Sequence, residues 1–144
     1  MADLAFILLI VFVLIPLAII TLVSTIMWTM SRLGGWHRLS KTYVAQNPPE
    51  GKRFTMQGVV FGYLCSYNSC ITIHTTPEGF YLQLPKLLRI CHPTLFIPWR
   101  DVYRKHTQKI FGAGFVRCDL GMPRIVSALL PEKIFMSVAG AIPA

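Results

Sequence analysis

Acidic side chains are the scarce class in this sequence: six Asp and Glu stand against fourteen Lys and Arg, for a net charge of +8. The carboxylates after Asp3 (Glu50, Glu78, Asp101, Asp119 and Glu132) are too scattered to suggest a paired acid and base. Catalytic motifs are missing as well. There is no glycine-rich phosphate loop, no G-x-S-x-G elbow and no H-E-x-x-H helix. Cysteine is too thinly spread for a disulfide scaffold, and Cys65 and Cys70 make at most half of a zinc site whose second pair is absent. Cys91-His92 with Asp101 could be drawn as a thiol triad, but nothing in the sequence activates that thiol. These absences set the expectation of a non-enzyme with no catalytic residues, no metal and no cofactor.

Charge of either sign is also missing from Leu4 to Met30, and this gap organises the chain. About 20 apolar residues cross a hydrocarbon core of ~30 Å as a helix, so the run is long enough to span with some tilt. Its polar members, Thr21, Ser24, Thr25 and Thr29, can bond back to the helix backbone. Pro16 sits mid-span, where its ring is expected to kink the helix. A cleavable signal peptide wants a basic start, a shorter apolar core and a small-x-small site. Met1-Ala2-Asp3 and Trp28-Thr29-Met30-Ser31-Arg32 supply none of these. No His falls within the run to ligate haem or chlorophyll, and His37 lies only at its edge.

All fourteen basic residues follow the run. Positive loops stay cytoplasmic, so the amino terminus is expected outside an inner, cytoplasmic-type membrane and the remaining chain inside. Four cysteines on that side suit a reducing compartment and are expected to be free thiols. A basic extrinsic part suits anionic lipid headgroups, at about 1 kcal/mol per well-placed Lys or Arg, or an acidic protein partner. Nucleic acid is not expected, because no recognition motif is present.

Residues 1–30 therefore read as the transmembrane anchor, 31–51 as an amphipathic juxtamembrane helix and linker, and 52–144 as a β-rich cytoplasmic domain. In Ser31–Gln46, Leu33, Trp36, Leu39 and Tyr43 recur at helical spacing, with Gly34-Gly35 loosening the junction to the span. Trp36 and Tyr43 could sit at headgroup level beside Arg32, Arg38 and Lys41, or the stripe could cover the domain's core. Asn47-Pro48-Pro49-Glu50-Gly51 breaks the helix. Beyond it, Phe54, Met56, Gly58 and Val60 alternate with Thr55, Gln57 and Val59, and Phe61 and Tyr63 extend that strand. Cys70–Leu84 reads as a hairpin turning at Thr75-Thr76-Pro77-Glu78-Gly79. Further strands are expected at Leu95–Trp99, Tyr103–Phe111, Gly114–Leu120 and Ile125–Leu130. Pro131 and Glu132 suit the start of a closing helix whose inner face carries Ile134, Phe135 and Val138. The apolar tail Ala139–Ala144 is expected to pack on something.

One resemblance enters here. Gly79-Phe80-Tyr81-Leu82, followed by Leu95-Phe96-Ile97-Pro98-Trp99-Arg100-Asp101-Val102, resembles a strand pattern of pleckstrin-homology-like and GRAM-like domains. With its apolar anchor and Gly35-Trp36-His37-Arg38-Leu39 ahead, the chain is also similar to small single-pass bacterial membrane proteins. The resemblance implies a bent antiparallel sheet or partly open barrel, closed by a carboxy-terminal helix within Leu129–Val138. Gly62–Ser69 departs from the lipid-binding members in having no Lys or Arg.

The functional expectation is an accessory, structural subunit of a larger bacterial integral-membrane complex, of the reaction centre–antenna or respiratory type. Its alternative is a membrane-tethered module that binds anionic lipid or an acidic protein. Ala18, Thr21 and Thr25 share one helical face and are candidates for a seam with another integral-membrane subunit; lipid exposure is the other reading. Trp99 and Arg100, beside a Pro-bent strand end, are interface candidates, with Trp99 in the core as the alternative.

Overall fold

A computed structural model of the chain describes residues 1–62, 65–89, 92–121 and 123–138. The apolar run forms helix α1, Ala2–Gly34, of 33 residues, which at ~1.5 Å per residue is about 50 Å long. The helix continues through Pro16. Thr21, Thr25 and Thr29 donate their hydroxyls to the carbonyls of Leu17, Thr21 and Thr25 at 2.9, 2.8 and 2.8 Å, so these three hydroxyls are satisfied within the helix. Within α1 the most apolar window has a mean hydropathy of 3.3, and none of it is buried. By length and composition α1 is a candidate membrane-spanning helix.

Two glycines end α1 and fix how the rest of the chain meets it. Gly35 adopts the left-handed conformation, φ 93°, which closes the helix and redirects the backbone. Gly34 lies so close to the extrinsic part that a Cβ there would stand 2.8 Å from Cys65 Cβ. Helix α2, Trp36–Tyr43, then starts in the new direction. The structure thus redraws residues 31–51. Ser31 to Gly34 belong to the last turn of α1, and α2 is only 8 residues long. Its single apolar stripe, Trp36, Leu39 and Tyr43, is buried in the same core as the sheet.

Seven strands follow: β1 Lys52–Phe61, β2 Cys65–Thr75, β3 Gly79–Gln83, β4 Leu95–Pro98, β5 Val102–Ile110, β6 Ala113–Leu120 and β7 Val126–Pro131. Among the described residues they form one antiparallel sheet in the order β4-β3-β2-β1-β7-β6-β5. The expected Cys70–Leu84 hairpin is the β2–β3 pair, with Thr75 opposite Phe80 and Thr72 opposite Gln83. Strands β4 and β5 lie at opposite edges, yet only the three-residue 3-10 turn Trp99–Asp101 separates them. A flat seven-stranded sheet would hold its edges about 28 Å apart, at 4.7 Å per strand. The sheet must therefore curl into a half-barrel, as the bent-sheet expectation requires.

Strand β1 corrects one alternation. Gln57, Val59 and Phe61 face the core, while Met56 is 72% exposed. Met56 has φ 53°, and the register to β2 slips between Phe54 and Gln57. Such a bulge inserts one residue and swaps the strand's faces beyond it.

The closing helix α3 is short, Glu132–Met136, because Leu129 and Leu130 belong to β7 rather than to the helix. Ile134 and Phe135 are buried, and Val138 packs against the core, as their spacing predicts. The tail Ala139–Ala144 lies outside the described residues.

Candidate membrane-facing and docking surfaces

Helix α1 meets the sheet only through its carboxy-terminal turns. Its buried residues are Met27, Ser31 and Gly34, with Val23 and Met30 partly covered on the same side. On the other side Trp28 is half exposed, and the Arg32 guanidinium lies 5.5 Å from its ring centroid. A Trp at the end of a span with a stacked cation is the chemistry of a headgroup layer. The sequence signal for Trp28 is its place at the end of the apolar run, four residues before Arg32. Arg38 and Lys41 are exposed on α2. Desolvation, followed by the charges of Arg32 and Lys41, pulls the pKa of His37 below the ordinary value, so these cations gather around one junction.

The other two membrane-surface candidates are elsewhere. Trp36 is fully buried, with its ring centroid 5.6 Å from Phe61, 5.6 Å from Tyr67 and 5.0 Å from His92. Its Nε1 donates to Pro93 O at 2.9 Å. Tyr43 is buried too and donates to Asp101 Oδ2 at 2.7 Å. The reason is geometric. An eight-residue helix has one apolar stripe, and the concave side of the half-barrel takes it.

Trp99 is corrected in the same way. It is 2% exposed, packs its ring 4.9 Å from Phe80 and 5.5 Å from Phe135, and donates from Nε1 to Thr76 O at 2.8 Å. The turn that crosses between the two sheet edges drives this ring inward. Arg100 beside it is exposed. Hence Trp99 is core, and the paired surface patch does not exist.

On the span, Ala18, Thr21 and Thr25 come together in one shallow apolar groove, bordered by Leu14, Leu17 and Leu22.

The interior offers little chemistry. Cys65, Cys70 and Cys118 are free thiols. Burial pushes all three pKa values up, Cys118 to about 12 with the neighbouring Asp119 charge adding to the effect, so none is a ready nucleophile. Cys91 lies outside the described residues. His92 is fully buried with Nε2 2.7 Å from the Tyr67 hydroxyl, whereas Asp101 accepts from Tyr43, so His92 and Asp101 are engaged separately. Asp119 is a structural clasp, accepting from Ser127 Oγ at 3.1 Å with Arg104 and Arg124 at 3.8 and 3.9 Å. Among the described residues no group of three His, Cys, Asp or Glu could hold a metal ion.

Compared with models of known protein families and with curated proteins, the chain finds no match.

Proposed function

We propose that this protein is a non-catalytic accessory subunit of a larger bacterial integral-membrane complex, held by one helix and by its basic β domain. The observation that carries the reading is the bare surface of α1. Every residue from Met1 to Leu22 is exposed, and the groove at Ala18, Thr21 and Thr25 lies within that stretch. Helices in lipid gain little from apolarity alone and recognise one another by close fit around small residues. The half-barrel has its own core, to which α2 and α3 contribute.

Gentle detergent extraction from native membranes, followed by mass spectrometry, tests this. The wild-type chain is expected to bring integral-membrane partners with it. Ala18→Leu with Thr25→Leu fills the groove without touching the domain and should shed those partners while the protein stays in the membrane. A wild-type chain that migrates alone would refute the reading.

A second reading, a tethered pleckstrin-homology-like module for anionic lipid or an acidic partner, is favoured by one feature. The edge strand β5 exposes Arg104, Lys105 and Lys109. Since the β1–β2 connection lacks the basic motif of the lipid-binding members, β5 would carry the contact. Chains held in neutral nanodiscs would then capture anionic vesicles in a salt-sensitive way. Capture no better than that of neutral vesicles ends this alternative.

A further inference from the structure

We propose that the turn Lys86–Leu88 is a second membrane anchor, which lays Leu87 into the headgroup boundary of the bilayer that α1 spans. The inference rests on α1 being in that bilayer. Topology brings the turn to the right pole of the domain. Strand β3 runs antiparallel to β2, so on leaving Gln83 the chain heads toward Cys65, the residue that Gly34 touches. On its return, His92 packs against Trp36, the first residue of α2, and Pro93 O accepts from Trp36 Nε1. The turn therefore sits beside the exit of α1.

The turn is also built rather than loose. Leu88 N donates to Pro85 O at 2.8 Å, Arg89 Nε donates to Leu84 O at 2.7 Å, and His92 N donates to Arg89 O at 3.1 Å. Leu88 packs against the core that also receives Met27 of α1. With Leu88 turned in, Leu87 is turned out and is 88% exposed. Lys86 before it is exposed and Arg89 after it half-buried, which is the pattern of an apolar residue entering lipid between cations that reach phosphates. The equally bare Phe111 makes a contrast. It caps the β5–β6 hairpin, whose other end, Val102 opposite Leu120, is the row beside Val126 and hence beside Gly35. Phe111 is thus at the end of that hairpin remote from α1.

The test uses the full chain in nanodiscs containing anionic phospholipid, with an environment-sensitive dye on one introduced cysteine. Leu87→Cys, Phe111→Cys and Leu9→Cys are compared, with the parent chain and its buried thiols as the labelling blank. At position 87 the emission should shift to the blue and fall by about twofold when lipids carry a quencher near the headgroup. Position 111 should behave as in water, and position 9 should be quenched by deeper labels. Water-like, unquenched emission at 87 with quenching at 9 overturns the anchor and leaves α1 in the membrane. Absence of quenching at both positions overturns the spanning helix as well. Quenching at 111 equal to that at 87 also overturns the proposal, since the turn would then have no special place.

Discussion

Trp36 shows what one residue does when a sequence pattern admits two environments. A helical stripe of Trp, Leu and Tyr near a membrane suits a headgroup layer and a protein core equally, because both reward an apolar body with a polar tip. Only the curl of the sheet, a long-range feature, decides between them, and the sequence beside Trp36 does not contain it. Trp99 was ambiguous for the same reason. The core position has a measurable consequence. Trp36→Ala should cost about 3–5 kcal/mol, seen as a lowered unfolding temperature of the domain in detergent, and Trp36→Phe should cost less. A variant that unfolds normally but partitions poorly into bilayers would restore the headgroup role. His74 supplies a pH dependence. Desolvation, then the Arg53 charge opposite it on β1, lowers its pKa below 6.5. The unfolded chain then takes up a proton first, so stability is retained above about pH 6.5 and lost as the pH falls below it. Thermal unfolding across that range should show a shallower decline for His74→Gln than for the parent, and parallel curves would remove His74 as the cause.

At the level of elements, strand existence was legible because breakers punctuate it. Pro77-Glu78-Gly79, Pro98 and Pro131 each fall at a strand boundary, and Gly112 sits in a hairpin turn. The facing of β1 was not legible, since nothing in Phe54-Thr55-Met56-Gln57 announces an inserted residue. The helix boundary at Gly34 and Gly35 was half visible. Two glycines signalled a break, but which of them would take the left-handed conformation depended on the close approach to Cys65. Met56 makes the bulge testable. A side chain at φ 53° is strained, and a β-branched one more so. Met56→Val should cost about 1–2 kcal/mol, whereas Met56→Gly should cost nothing or stabilise slightly. Chemical unfolding of the three proteins side by side measures this, and a Val variant as stable as the parent would argue against the bulge.

Over the whole molecule the charge distribution is the clearest signal, as every Lys and Arg lies on one side of the apolar run. The amino terminus should accordingly be outside and the half-barrel inside. Protease added to sealed right-side-out cells should leave the domain intact, and its digestion from outside would reverse the topology. The candidate surfaces were legible where exposure follows from charge, as for Arg32, Arg38, Lys41 and Arg100, and where helical spacing sets a shared face, as for Ala18, Thr21 and Thr25. Leu87 could not be found that way, because its exposure depends on where β3 delivers the chain.

The three-residue crossing from β4 to β5 bears on how the protein is made. It divides the sheet into two stretches, β1 to β4 and β5 to β7, in each of which every strand pairs with its neighbour in sequence. Pairings of that kind close short loops and form quickly. Among the described residues the two stretches join along β1 and β7 at two residue pairs, Val60 with Leu129 and Phe61 with Ala128. During synthesis α1 emerges first and the β1–β4 strands next, so the seam of β1 with β7 can close only once the last strand has left the ribosome.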